Sequence, residues 1–285
     1  MNPQDPIASA EATQQYMTGQ WRQTHPALLA GFEQMSLAAT RALAPTLDIA
    51  YGPHPRQVFD FFAGSERAPT IAYFHAGYWQ SRDKSTFRFL AVPWVAAGFS
   101  VAFVNYPLCP EIDMAALTQA VRAFPPVFVE RMASIGRSPA LVAAGHSAGA
   151  QLAVELALTD WRARDLPENP IRAVIGLSGV YDLAPLIGTP LNDKLRLDVG
   201  ATRAASPVRR VLPDMPPALF AVGDAETGAF LRQNADMGAA WGAAGNSARA
   251  LIVEGADHFS LLSEFAVAGA KLSEAALAIA RKAQF

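Results

Sequence analysis

Short runs of apolar residues recur along the chain after Pro45, and they alternate with longer stretches of helical periodicity. The runs are rich in β-branched and aromatic residues, which is typical of buried strands. They are VFDFF (58–62), TIAYFH (70–75), FSVAFV (99–104), ALVAAG (140–145), RAVIGLS (172–178), ALFAVG (218–223) and ARALIVE (248–254). Between them the pattern predicts helices near residues 86–97, 113–135, 148–160, 228–244 and 260–283.

Strands that alternate with helices predict right-handed βαβ units and a mostly parallel central sheet, and therefore an α/β fold. The run VFDFF alternates apolar and polar residues less cleanly, so it could instead belong to an antiparallel pair at the edge of the sheet. Residues 181–216 are rich in proline, leucine and charge. They predict small helices over the carboxyl ends of the strands, where open α/β sheets bind ligands.

Residues 1–45 differ from the rest of the chain in their pattern of polar and apolar residues. The stretch WRQTHPALLAGFEQMSLAATRALAP within them has helical spacing and predicts one or two amphipathic helices that pack on, or cap, the main body. We therefore expect an N-terminal helical segment over 1–45 and one catalytic domain over 46–285.

Composition narrows the class of protein. Of the 285 residues, 51% are hydrophobic and 17% charged, which excludes a disordered chain. The net charge of −2 gives no electrostatic footprint for nucleic acid or an anionic membrane. The first residues lack the pattern of a signal peptide, and no apolar run approaches the roughly 18 residues of a membrane span. We expect a soluble cytoplasmic protein with a small-molecule substrate, able to form a homo-oligomer.

Cofactor motifs are absent from the sequence. No cluster of His, Cys, Asp and Glu has metal-ligand spacing, and Cys109 is the single cysteine, so an intrachain disulfide is excluded. Neither a Walker loop nor a G-x-G-x-x-G sequence is present. We therefore expect neither a metal nor a nucleotide cofactor.

The strand ALVAAG runs directly into a predicted helix through Gly145-His146-Ser147-Ala148-Gly149, a G-x-S-x-G sequence. A sharp strand-to-helix turn of this kind holds the serine in a strained conformation, and the glycines let strand and helix approach each other. The first N–H groups of the helix, including that of Ala148, would face an oxyanion beside Ser147. The alternative is a glycine-rich turn whose serine caps the helix, but the flanking elements favour a nucleophile.

A serine nucleophile needs a base and an orienting acid, which follow it in the order acid then histidine in α/β hydrolases. His258 is the only histidine after Ser147, and it follows the last predicted strand. Two carboxylates, Asp224 and Glu226, follow ALFAVG. The usual turn places the acid three residues after the glycine, which favours Glu226, while Asp224 could cap the turn and remains the alternative.

The strand TIAYF leads into His75-Ala76-Gly77-Tyr78-Trp79, a variant of the H-G-G-x loop whose N–H groups complete an oxyanion hole. We expect Gly77 and Tyr78 to supply two of these groups. Tyr78 and Trp79 would line a slot for an aromatic substrate, or else pack the loop. Tyr181, which follows another strand, is a further candidate for the substrate pocket.

Together these motifs resemble the kynurenine formamidase (arylformamidase) group of α/β hydrolases, over about residues 45 to 265. HAGYWQSRDKSTF is similar to that group's H-G-G-Y-W-Q segment. Other segments match in order, namely LDIAYGPHPRQVFDFF, NYPLCPE, GHSAGAQLA, LSGVYDLAPLIGTPLNDKLRLD, VGDAETGAFLRQN and DHFS. In the group the acid lies four residues before a phenylalanine, which here implies Glu226 before Phe230. Ala76 replaces the loop's first glycine and would strain the loop if that position needed a positive φ.

The resemblance implies an α/β-hydrolase fold and a serine hydrolase that converts N-formyl-L-kynurenine, or another aryl formamide, to formate and the free arylamine. A short-chain carboxylesterase would use the same catalytic residues. A catalytically silent hydrolase fold that binds a small ligand is an alternative of another class, since one fold hosts many functions.

Overall fold

One sheet organises the residues that the computed structural model describes, 6–166 and 168–283. In these residues eight strands are hydrogen-bonded to one another. They are β1 (Thr46–Ala50), β2 (Val58–Phe62), β3 (Thr70–Phe74), β4 (Ser100–Val104), β5 (Leu141–His146), β6 (Ile171–Leu177), β7 (Ala218–Gly223) and β8 (Ala248–Val253). Residues 1–5 of the predicted segment 1–45, and residues 167 and 284–285 of the predicted segment 46–285, lie outside the described part.

The strand order is β1-β2-β4-β3-β5-β6-β7-β8, and the six strands from β4 to β8 are parallel. The predicted α/β fold is therefore confirmed. The run VFDFF forms β2, which pairs antiparallel with both β1 and β4, so the expectation of an antiparallel edge is also confirmed. Strand β1 was not predicted, because most of its residues are exposed and it lacks a buried apolar run.

Helices cover both faces of the sheet. Those described are α1 (Pro6–Tyr16), α2 (His25–Leu43), α3 (Ala91–Ala96), α4 (Met114–Arg122), α5 (Phe124–Ser134), α6 (Ala148–Ala157), α7 (Asn192–Leu195), α8 (Val199–Ala205), α9 (Gly228–Ala243), α10 (Ser260–Ala266) and α11 (Lys271–Lys282). Short 3₁₀ helices lie at Thr18–Gln20, Lys84–Leu90, Arg162–Arg164, Ala184–Gly188 and Pro207–Arg209. No helix in these residues is both long and apolar enough to cross a membrane.

Two predicted helices are each broken in two. The stretch 113–135 forms α4 and α5, because Pro125 and Pro126 at the start of α5 lack the N–H groups that would continue the preceding helix. The stretch 260–283 forms α10 and α11, because Val267 after α10 takes an extended conformation with φ −95° and ψ +117°. A short connection that contains Gly269 at φ +84° then leads into α11.

The predicted N-terminal helices are α1 and α2. Helix α2 packs against the 3₁₀ helix Lys84–Leu90, where the rings of Phe32 and Phe89 stack with centroids 4.5 Å apart. Helix α1 lies against α9 and the 3₁₀ helix Ala184–Gly188. The two N-terminal helices therefore pack on different parts of the chain, α2 on a segment that precedes β4 and α1 on segments that follow β6.

Helix α6 lies unusually close to the sheet. A Cβ atom on Gly149 would stand 2.0 Å from the carbonyl oxygen of Phe74 in β3. A Cβ atom on Gly145 would stand 2.1 Å from the carbonyl oxygen of Gly149. Both obstacles are backbone atoms, so only glycine fits at these two positions.

We predict that Gly149→Ala destabilises the protein, because the added methyl group must push α6 away from β3. Overpacking of this kind costs about 1–3 kcal/mol, which for a chain of this size lowers Tm by roughly 2–12 °C. The matched control is Gly31→Ala in α2, where a Cβ atom meets nothing within 4 Å. It should stabilise the protein by about 0.4–1 kcal/mol. Equal Tm values for the two variants would contradict the close approach.

Candidate active site

The turn between β5 and α6 holds Ser147 in a strained conformation. Its φ and ψ are +57° and −119°, a region that residues with a side chain rarely adopt. Its N–H donates a hydrogen bond to the carbonyl of Leu177 at 2.8 Å. Ala148 is the first residue of α6, where an N–H group has no partner inside the helix. The turn therefore offers a hydroxyl and a backbone donor at the same point.

His258 and Glu226 form a buried pair on two neighbouring loops. His258 Nδ1 lies 2.8 Å from Glu226 Oε2, and the Glu226 side chain is wholly buried. Because a carboxylate only accepts, Nδ1 carries the hydrogen and donates it, which leaves Nε2 of the ring as an acceptor. A histidine in this tautomer is able to take a proton from a hydroxyl group.

The Glu226 carboxylate accepts three further hydrogen bonds. Ser178 Oγ and the N–H of Gly223 donate to Oε1, at 2.5 and 3.0 Å. Gln20 Nε2 donates to Oε2 at 3.2 Å. These donors replace the water that a buried carboxylate loses. Sequence reasoning missed Ser178 and Gln20. The position of Ser178 after β6 was a usable signal, whereas no local pattern pointed to Gln20.

Asp224, the alternative acid, does not reach His258. Its side chain is exposed and accepts a hydrogen bond from the N–H of Gly255 at 2.7 Å. It thus ties the turn after β8 to the turn after β7. Of the two carboxylates that the sequence left open, the structure brings Glu226 to the histidine.

Ser147 and His258 border one cavity of about 330 Å³ at the carboxyl ends of the strands. Its other lining residues are Tyr16, Met17, Gln20, Trp21, His25, Ala76, Gly77, Tyr78, Gln80, Ser81, Arg82, Leu191, Lys194 and Phe259. Leu191 and Lys194 come from the predicted small helices of 181–216. A larger cavity of about 740 Å³ lies between α1 and α9, but Ser147, Glu226 and His258 do not border it.

The loop after β3 lines this cavity in a left-handed conformation. Gly77, Tyr78 and Trp79 have φ values of +130°, +49° and +57°. A Cβ atom on Gly77 would stand 2.2 Å from the carbonyl oxygen of Ser81, so glycine is required there. Ala76 does not have a positive φ, and its methyl group therefore causes no backbone strain. Gly77 and Tyr78 lie on the cavity with Ser147.

Polar side chains that do not line the cavity hold this loop in place. His75 Nδ1 donates to the carbonyl of Ala76 at 2.7 Å, and the ring stacks on Tyr106 with centroids 4.4 Å apart. Burial lowers the pKa of His75 to about 4, so its ring is neutral at neutral pH. The Arg56 guanidinium donates to the carbonyls of Tyr106 and Arg82, at 2.9 and 2.8 Å. These contacts fasten both ends of the loop to the sheet.

Two of the three aromatic residues proposed for the substrate pocket lie elsewhere. Trp79 and Tyr181 are both 0% exposed, and neither borders the cavity. Trp79 Nε1 donates to Gln151 in α6 at 3.1 Å, so the loop turns this ring toward the core. The Tyr181 ring fills space left by Gly176, where a Cβ atom would meet its hydroxyl oxygen at 2.1 Å. Only Tyr78 of the three lines the cavity.

Two cationic side chains, Arg82 and Lys194, line the cavity, and the charge of Glu33 acts on Arg82 without forming an ion pair. In the described residues, the Arg82 and Lys194 side chains make no ion pair, and no carboxylate borders the cavity. The Arg82 guanidinium lies 4.8 Å from the centroid of the Phe259 ring. Burial lowers the pKa of Arg82, but an arginine stays charged at neutral pH. Sequence reasoning did not identify either residue, since both reach the cavity only through the fold.

A metal site is not evident in the described part of the chain. No group of three or more His, Cys, Asp and Glu side chains there could hold an ion. The sulfur of Cys109 is buried, and burial raises the pKa of its thiol to about 11. The cysteine is therefore a thiol rather than a thiolate at neutral pH.

Comparison with known proteins identifies the family. Residues 71–198 match a family model described as the alpha/beta hydrolase fold. A kynurenine formamidase of Danio rerio is 31% identical over 233 residues, which cover 79% of this chain and 78% of that protein. A kynurenine formamidase of Drosophila melanogaster is 28% identical and covers 74% of each chain.

A crystal structure from Silicibacter sp. tm1040, provisionally described as a thioesterase, is 29% identical with a TM-score of 0.77. The match covers 93% of this chain and 97% of that one. The fold and the sequence similarity over most of its length therefore agree: the chain belongs to the kynurenine formamidase family of α/β hydrolases.

Proposed function

We propose that the protein is a serine hydrolase that removes the formyl group from N-formyl-L-kynurenine and releases formate and kynurenine. One observation carries the mechanism. Ser147, held at φ +57°, shares a cavity with His258. The Nδ1 atom of that histidine is hydrogen-bonded to the buried carboxylate of Glu226. The relatives of Danio rerio and Drosophila melanogaster, both kynurenine formamidases, support the substrate.

In this proposal Ser147 attacks the formyl carbon while His258 takes the proton of its hydroxyl. Glu226 holds the imidazole in the required tautomer and stabilises the imidazolium that forms. The N–H groups of Gly77, Tyr78 and Ala148 stabilise the oxyanion. His258 then protonates the leaving arylamine, and water hydrolyses the formyl-serine ester to formate.

The size of the cavity favours a small substrate. About 330 Å³ lies at the lower end of the usual range for ligand sites, which is roughly 300–1,000 Å³. Tyr78 provides an aromatic wall beside Ser147. A formyl group and one aromatic ring fit this space better than a long acyl chain.

The charge of the cavity supports a substrate that carries a carboxylate. Kynurenine has an α-carboxylate, and the cavity presents the cations Arg82 and Lys194 with no carboxylate among its lining residues. A guanidinium binds a carboxylate through charge-assisted hydrogen bonds, which are about twice as strong as neutral ones. Short-chain esters lack a group that could bind these cations in this way.

A paired steady-state assay tests the substrate. We expect a kcat/KM above roughly 10⁴ M⁻¹s⁻¹ on N-formyl-L-kynurenine, the range of a real substrate. An activated ester, p-nitrophenyl acetate, should also react because it is chemically easier. Turnover of the ester with negligible turnover of the formamide would instead favour a short-chain carboxylesterase.

The variant Ser147→Ala is the control for this assay. It should abolish turnover of both substrates while leaving Tm unchanged, because the small side chain keeps the turn intact. If the wild type binds N-formyl-L-kynurenine but hydrolyses neither substrate, the protein is a binding member of the fold and the proposal is wrong.

A second prediction concerns the acid. Glu226→Ala should lower kcat about 10²-fold or more, since loss of the correct histidine tautomer costs up to about 10⁴-fold in a serine protease. Asp224→Ala is the matched control and should have a milder effect, because this side chain binds only the N–H of Gly255. The reverse ranking in steady-state kinetics would overturn the assignment of Glu226.

A third prediction concerns the cations. Arg82→Gln should raise KM for N-formyl-L-kynurenine about tenfold, the loss expected for one hydrogen bond to a charged group. It should leave p-nitrophenyl acetate unaffected, because that ester has no carboxylate. Arg249→Gln removes an equal charge from exposed β8 and serves as the control. An equal loss on both substrates would argue against carboxylate binding by Arg82.

A further inference from the structure

Residues 15–25, named here the N-terminal clasp, contact the loop that carries Glu226. Thr227 Oγ1 donates to the carbonyl of Gln15 at 2.7 Å, and the N–H of Ala229 donates to Gln15 Oε1 at 2.9 Å. The Arg22 guanidinium donates to the carbonyl of Ala225 at 2.7 Å. The clasp thus binds this loop on both sides of the carboxylate.

The clasp also contacts the two other loops of the site. His25 Nε2 lies 3.3 Å from Asp257 Oδ2, and the His25 ring meets Phe259 edge-on at 4.9 Å between centroids. These two partners flank His258 in the sequence. The Tyr78 hydroxyl donates to the carbonyl of Tyr16. One short segment therefore reaches the loops of the acid, the base and the oxyanion hole.

Gln20 is the member of the clasp that reaches the carboxylate itself. It is 7% exposed, and its Nε2 donates to Glu226 Oε2, the same oxygen that His258 binds. Its other amide atom, Oε1, is buried without a hydrogen-bond partner among the described residues. A buried polar atom without a partner is unfavourable. In the amide group of Gln20, Nε2 therefore has a hydrogen-bond partner, which is Glu226, and Oε1 has none among the described residues.

The direction of this contact matters for the carboxylate. Ser178 and Gly223 bind Oε1, and without Gln20 the other oxygen would face His258 alone. A donor on Oε2 opposes rotation of the carboxylate about its own axis.

We propose that Gln20 is a positioning residue for catalysis, which fixes the Glu226 carboxylate in the orientation that His258 requires. Within the N-terminal clasp, Gln20 alone then acts on the carboxylate, whereas contacts such as that of Gln15 with Ala229 only hold the segment on its loop. The inference rests on the serine mechanism proposed above, but it does not depend on the identity of the substrate.

The test compares Gln20→Met with Gln15→Met in the full-length protein. Both variants keep the length of the side chain and remove one hydrogen bond between the clasp and the loop of Glu226. We expect Gln20→Met to lower kcat about ten- to a hundredfold with little change in KM, the range seen when an orienting partner is lost. Gln15→Met should keep the wild-type kcat. Equal losses in both variants, or none in either, would overturn the proposal.

A third variant separates donation from packing. Gln20→Glu keeps the shape of the side chain, but the introduced carboxyl group can donate to Glu226 only while it is protonated, and it repels the Glu226 carboxylate once it is ionised. We therefore expect kcat of Gln20→Glu to fall relative to the wild type as the pH is raised. The same dependence of kcat on pH in Gln20→Glu and in the wild type would show that donation has no role and would overturn the proposal. Thermal unfolding of each variant confirms that it is folded.

Two readouts separate this inference from the proposed function. Hydrolysis of p-nitrophenyl acetate reports the triad even if the formamide is not the substrate. The downfield NMR signal of the proton between His258 and Glu226 reports their contact without any turnover. This signal should shift or broaden in Gln20→Met and stay in place in Gln15→Met. An unchanged signal in Gln20→Met would overturn the proposal.

Discussion

The backbone contact between α6 and β3 at Gly149 is the constraint on which the rest of the site depends. A side chain at this position would meet the carbonyl oxygens of both Phe74 and His75, at 2.0 and 2.8 Å. These two residues end β3 and begin the loop that presents Gly77 and Tyr78. The same contact therefore sets how far the turn at Ser147 lies from the end of β3, and with it the distance from this turn to the loop of Gly77 and Tyr78. The glycine at position 149 therefore fixes how the proposed nucleophile lies relative to the proposed oxyanion donors.

The buried carboxylate of Glu226 joins parts of the chain that are far apart in the sequence. Its four donors come from the N-terminal clasp, from the end of β6, from the end of β7 and from the loop after β8. A buried charge is tolerated only when such partners surround it. The hydrogen bonds that this buried carboxylate requires thus bring four segments together, and the candidate active site lies where they meet.

Features encoded by neighbouring residues were predictable from the sequence, and those set by tertiary contacts were not. The buried strands, the turn at Ser147 and the position of His258 follow from local patterns that the fold preserves. The break between α4 and α5 is encoded locally by Pro125 and Pro126, whereas the extended conformation of Val267 after α10 has no such local signal. The burial of Trp79 depends on a turn of the backbone that its own residue type does not signal. Gln20 reaches the site across most of the chain, so no spacing rule could identify it.

The contact of Gln20 with Glu226 also orders the assembly of the molecule. It joins residues 206 positions apart, near opposite ends of the chain. A ribosome that adds 5–20 residues per second makes the first partner roughly 10–40 s before the second. Contacts of such long range form late, because the loop between the partners must close first. Gln20 therefore cannot bind its partner until β7 and the turn after it have been made. Full hydrolytic activity would then appear only when the clasp has docked on the loops of Glu226 and His258, and not when the sheet has formed.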